Sequence, residues 1–313
     1  MKTRDVISYR VTPESQPHLW RFIQDTAARL EVPAPGVVEL YPIPDTELTG
    51  DRLLLGLPYV IGLDAAELAD VIGQELISGQ ARTGWVVNRL AADTVASALL
   101  HSAHIALGFE RFVLQYVGPL AAAGYYPADL WEGWGWLAKA ERVASAAPVP
   151  VNKDGMWSRP IPLRPLGIAV EAGFARLLAE QFTGEVRPVT FDEVPHEVWD
   201  AGLARQAVVV RSTVALLLRQ HRATAADVLG LVLGGRAAEI LRVAGTESPD
   251  LEPAARVLTP LLHEALRARG YRFEHPLLQH LYVGPAWDRL DAADLVGSLD
   301  QPHALARLRY LLG

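Results

Sequence analysis

Apolar positions along this chain follow helical spacing for most of its length, interrupted by a few short β-branched or Leu-rich runs. Over residues 13–30, Trp20, Ile23, Ala27 and Leu30 fall on one helical face. The sequence Val32-Pro33-Ala34-Pro35-Gly36 ends that helix, and the runs 37–41 and 52–57, separated by turn residues, read as strands of a small sheet. Asp64 followed by Glu67 has the form of a capping box, and Leu68, Val71, Ile72 and Leu76 continue a helix from it. This helix puts Gln74 and Ser78 one turn apart on the same face.

The rest is mostly helical. Residues 86–108 and 109–123 are apolar and periodic, and 128–146 hold three tryptophans. Residues 147–165 form a Pro-rich loop with Pro148, Pro150, Pro160, Pro162 and Pro165. Further helices are predicted over 166–182, 197–220, from Thr224 to a break at Gly234-Gly235, and over 253–269. Short strand-like and helical pieces alternate over 271–313. The predicted class is α+β, predominantly helical, with a small N-terminal β-sheet and a helical bundle. The expected organisation is 1–146, a loop at 147–165, and 166–313, closing into one compact unit.

Composition narrows the function. The 313 residues are half apolar and carry a net charge of −7, which argues against a nucleic-acid partner, since neutralising phosphates needs surplus Lys and Arg. There is no Cys, so thiolate nucleophiles, disulfides and Cys-held metals are excluded. Residues 1–6 lack a signal-peptide apolar region, and the weakly charged stretch 94–108 is shorter than the roughly 20 residues that span a bilayer. The expectation is a cytoplasmic chain without a membrane span.

The chemistry-bearing motif is Gln74-Glu75-Leu76-Ile77-Ser78. In an HExxH helix two His at i and i+4 hold Zn²⁺ and the Glu between them is the general base. Here the Glu stands and both His positions are filled by other residues. Three segments together resemble the HtpX-like zinc metallopeptidases, the gluzincin group that includes the CAAX prenyl proteases. They are the helix and two strands of 19–63, the run Leu63-Asp64-Ala65-Ala66-Glu67-Leu68-Ala69-Asp70-Val71-Ile72-Gly73-Gln74-Glu75-Leu76, and Arg222-Ala223-Thr224-Ala225-Ala226-Asp227. The resemblance covers about half the chain, and 109–197 matches no recognised pattern.

The resemblance implies a gluzincin-like domain in which Gln74, Ser78 and Ala223 occupy the three zinc-ligand positions. Glu75 then matches the general base and Asp227 the carboxylate behind the ligands. It also implies that the strand 52–57, with Leu55, is the edge lining a peptide cleft. Gln and Ser are poor zinc ligands and Ala is none, so the expected protein is a pseudopeptidase without metal or other cofactor. It would bind a peptide, a small apolar molecule or a protein partner in the former cleft. A second expectation is a metal-free biosynthetic enzyme using Glu75 as general acid or base. A third is a helical partner in a homo-oligomer built on 109–136.

Other constellations leave alternatives open. His101 and His104, at i and i+3, are either two packed histidines or the ligands that would rescue a metal site. Tyr126, Trp131, Trp134 and Trp136 form either an aromatic wall for a ligand or a packed core. Asn152-Lys153-Asp154-Gly155 is a turn in the Pro-rich loop, where Arg159 and Arg164 would meet an anion if the loop closed as a lid. Ser212, His221 and Asp227 lack a G-x-S-x-G context.

Overall fold

The computed structural model describes residues 8–81, 92–144, 161–182, 185–245 and 252–313. It is α+β and predominantly helical, in two compact units, Met1–Phe191 and Asp192–Gly313.

In the first unit, β1 (Tyr9–Val11) and α1 (Pro17–Arg29) precede β2 (Val37–Tyr41), β3 (Thr46–Thr49) and β4 (Arg52–Gly56). The sheet order is β1-β2-β4-β3, with β4 parallel to β2 and antiparallel to β3. This corrects the expectation for residues 52–57. The strand β4 is central, paired on both sides, and Leu55 is fully buried in the core, so neither can receive an added strand. The edge beside β4 is β3. Leu57 does not continue the strand but opens a short helix, α2 (Leu57–Gly62), with Pro58 in its first turn. At the junction, a Cβ on Gly56 would stand 2.2 Å from the Ile43 carbonyl, while the Gly56 amide donates to the Asp45 carbonyl at 2.8 Å. Only glycine fits that approach.

The unit continues with α3 (Ala65–Ala81), α4 (Ala92–Phe112), a π-helical turn (Val113–Val117) and α5 (Gly118–Ala122). Then come β5 (Tyr125–Pro127), α6 (Leu130–Ala144), α7 (Ile168–Ala179) and β6 (Arg187–Val189). An aromatic core joins these. Trp134 meets Phe109 edge-to-face at 5.1 Å, and its indole N–H donates to the Pro58 carbonyl at 3.2 Å. Trp131 stacks on Phe109 at 5.9 Å and abuts Phe174 of α7 at 6.1 Å. The sequence reading breaks the chain at 147–165, but the units divide after Phe191. The reason is packing: Phe174 and the parallel β5–β6 pairing tie 166–191 into the first unit.

The second unit holds α8 (His196–Leu218), α9 (Ala225–Leu233), α10 (Ala237–Val243) and α11 (Pro253–Ala268). An antiparallel sheet of β7 (Arg272–Phe273), β8 (Leu281–Val283) and β9 (Arg289–Asp291) follows, then α12 (Ala292–Gly297) and α13 (Pro302–Leu312). Among the described residues α8, and not 94–108, is the one helix long and apolar enough to cross a membrane by length and composition. It packs on α11, where Asp200 and Arg211 pair with Arg267 and Glu264.

Candidate functional site

Helix α3 starts as its sequence dictates. The Glu67 amide donates to Asp64 Oδ1 at 2.9 Å and the Asp64 amide to Glu67 Oε2 at 2.8 Å, closing the capping box. Leu68, Ile72 and Leu76 are buried, which leaves Glu67, Asp70, Gln74 and Ser78 as a half-buried polar stripe at i, i+3, i+7 and i+11. The edge strand β3 lies along this helix. Leu48 packs so closely that a Cβ on Gly79 would stand 2.5 Å from it.

Two groups of titratable side chains flank the stripe. His101 of α4 sets Nδ1 3.3 Å from Glu67 Oε1. Burial pushes the Asp70 carboxyl up to about 6; Arg29 and His101 pull against that shift, and Asp64 adds to it. Glu75, half-buried, belongs with Tyr41 at the end of β2. Burial raises the Tyr41 hydroxyl far above the ordinary phenol range, and the negative charges of Asp45, Glu47 and Glu75 add to this. Burial with Asp45 likewise pushes Tyr59 up to about 12, against a hydrogen bond with Ser102. Both phenols are therefore neutral donors in neutral water.

The residues assigned from sequence fall in different places. Gln74, Glu75 and Ser78 share α3 of the first unit, whereas Ala223 and Asp227 belong to the second. Ala223 is buried just before α9. Asp227 is the N3 residue of a capping box: its carboxylate accepts from the Thr224 amide at 2.8 Å, and its own amide donates to Thr224 Oγ1 at 3.2 Å. The Thr224 amide and the Thr224 hydroxyl, which donates to Asp227 Oδ2 at 2.7 Å, lower the carboxyl's pKa, the amide most. His101 is half-exposed beside Glu67, and His104 is exposed. Among the described residues no three His, Asp or Glu side chains converge as a metal site. Tyr126, Trp131 and Trp134 are buried in the first unit's core, and Trp136 is 41 % exposed. The turn at 152–155 and Arg159 lie outside the described residues. Arg164 is described: its amide donates to Gln16 Oε1 at 2.9 Å and its guanidinium to the Glu14 carbonyl at 3.0 Å. Ser212 and His221 are exposed.

A buried polar network in the second unit escaped the sequence reading. His263 of α11 is 1 % exposed and stacks on Phe273 at 5.0 Å. Its Nε2 lies 3.1 Å from Asp200 Oδ1 and its Nδ1 3.0 Å from the Tyr282 hydroxyl, while Arg267 reaches Asp200 Oδ2 at 2.7 Å. Burial pushes the Asp200 carboxyl up, but His263 and Arg267 more than offset it and its pKa is lowered. The Nε2 contact with Asp200 is not aligned as a hydrogen bond and acts as a charge contact, while Nδ1 and the Tyr282 hydroxyl share a hydrogen bond. Asp200, His263 and Tyr282 stand far apart in sequence; only α8–α11 packing joins them. The i, i+4 spacing of His263 and Arg267 is the one local signal.

Comparison with known protein families, curated proteins and solved structures finds no match to this chain.

Proposed function

We propose that the first unit is a metallopeptidase-like peptide-binding module that works without zinc. One observation carries the reading: the antiparallel edge strand β3 lies along the helix that bears Gln74, Glu75 and Ser78. In this reading the cleft edge is 46–49, one strand removed from the 52–57 that the resemblance implied. A peptide would add to the backbone of β3, while Gln74 and Ser78 offer neutral hydrogen-bonding groups where a zinc peptidase of the resembled family carries imidazoles. Peptide selection on immobilised protein, with elemental analysis of the same sample, tests it. Bound peptides that lose affinity on Gln74→Ala, with no zinc and no zinc-dependent melting shift, are expected. About one zinc per chain with a raised melting temperature overturns it.

A metal-free acid–base enzyme is the second reading, and Asp70 favours it. A carboxyl with its pKa pushed up to about 6, on the same face as Gln74 and one turn before it, is suited to proton transfer near neutral pH. Glu75→Gln and Asp70→Asn separate the two readings. They would abolish turnover in the enzyme and leave peptide affinity intact in the binding module.

A further inference from the structure

We propose that Trp287 and Arg272 form a binding site for a small planar aromatic anion on the second unit. The argument starts at the β8–β9 hairpin. The Gly284 amide donates to the Asp288 carbonyl at 2.8 Å and the Trp287 amide to the Gly284 carbonyl at 3.0 Å. This closes the three-residue loop Pro285-Ala286-Trp287, whose last position takes a left-handed conformation. Trp287 sits there at φ +62°. Glycine is the residue for that position, and a bulky side chain is strained in it.

Burial does not offset the strain, because Trp287 is 79 % exposed. Among the described residues only the Arg272 guanidinium is recorded against this ring, so backbone preference and packing do not account for a tryptophan here, and the exposed ring suits contact with a ligand.

What that something is follows from the neighbours. The Arg272 guanidinium stands 6.0 Å from the centre of the Trp287 ring. Arg272 has no carboxylate partner among the described residues, whereas its neighbour Arg289 is held by Glu274 at 2.5 Å. An uncompensated cation and an open indole face therefore lie together on the rim of a groove of about 370 Å³, floored by Phe273 and Val283. The groove has room for one ring system. A ring stacked on Trp287 would bring an acidic substituent to Arg272 for a paired hydrogen bond. The carboxylates of Glu274 and Asp192, also on the groove, disfavour a polyanion and limit the ligand to a single acidic group.

Saturation-transfer NMR with 1-naphthoate on the full chain tests this. The neutral analogue 1-naphthalenemethanol and acetate serve as controls. Naphthoate should bind, with about tenfold weaker binding for the alcohol and none for acetate. Arg272→Gln and Trp287→Gly should each weaken naphthoate at least about tenfold. Trp287→Gly should also melt at or above the parent temperature, since it relieves strain. Absence of naphthoate binding at millimolar concentration, equal binding of the alcohol, or indifference to both substitutions overturns the proposal. A fall of several degrees in the melting temperature of Trp287→Gly also overturns it, by making the tryptophan structural.

Discussion

Removing the Asp200 carboxylate should unsettle the second unit more than any surface charge change would. In Asp200→Ala the buried His263 ring loses the carboxylate oxygen 3.1 Å from its Nε2, a charge contact not aligned as a hydrogen bond, and this costs about 1 kcal/mol. The pair with Arg267 adds less, about 0–1 kcal/mol, because both side chains are about a quarter to a third exposed and water screens them. The sum is about 2 kcal/mol, a fall of roughly 7 °C in melting temperature for a unit of this size. Asp200→Asn keeps an acceptor for the imidazole and should lose only about 1 kcal/mol.

The pH dependence supplies a second readout. A carboxylate whose pKa is lowered by folding adds stability above its unfolded pKa of about 4, and loses it as pH falls through the folded value. The gap between parent and Asp200→Asn should therefore be widest near neutrality and close below about pH 4. Circular-dichroism melts from pH 3 to 7, with hydrogen exchange of α8 and α11, check both. Unfolding of Asp200→Ala within about 0.5 kcal/mol of the parent at pH 7 would refute the reasoning.

Three further substitutions probe the first unit. Asp64→Ala removes the acceptor for the Glu67 amide and should cost about 1 kcal/mol in urea unfolding, with early exchange of the first turn of α3. Trp134→Phe loses the bond to Pro58 and part of an edge-to-face packing volume, for about 2 kcal/mol by the same assay. Gly56→Ala drives a methyl into the Ile43 and Asp45 carbonyls, so a loss of about 3 kcal/mol or failure to accumulate folded protein is expected on expression.

The parts of this structure that were legible in the sequence are those set by neighbours in the chain. The Asp64–Glu67 box, the strand at 37–41, all but the last residue of the strand expected at 52–57, the helix start near Thr224 and its end at Gly234 all follow from residues within one turn of each other. What was not legible depends on distant partners. The family resemblance made 52–57 an edge, and nothing in the residues of that run reveals that β3 folds back against it. Trp131 and Trp134 share a helical face whether that face meets a ligand or Phe109 and Phe174, and only the tertiary packing decides. Beyond its i, i+4 spacing to Arg267, nothing in the sequence singles out His263, since its other partners lie on α8 and β8. Trp287 gave no signal at all, because its oddity is a backbone angle.

The polar stripe of α3 is where stability and use can be told apart. A helix selected only to pack would not keep a half-buried carboxyl with its pKa pushed up to about 6, since ionising that group opposes folding. The sign is opposite to that of Asp200. A raised carboxyl pKa costs nothing below its unfolded value, and the penalty grows as pH rises from about 4 to the folded value near 6. Asp70→Asn should therefore match the parent near pH 4 and melt higher than it at pH 7. Ser78→Ala should also raise stability slightly, by about 0.5 kcal/mol from helix propensity alone. Gains in both would mean that the native residues on this face oppose stability, as expected of a face kept for binding or proton transfer. If both variants melt lower at pH 7, Asp70 and Ser78 are structural, and the functional reading of α3 fails with them.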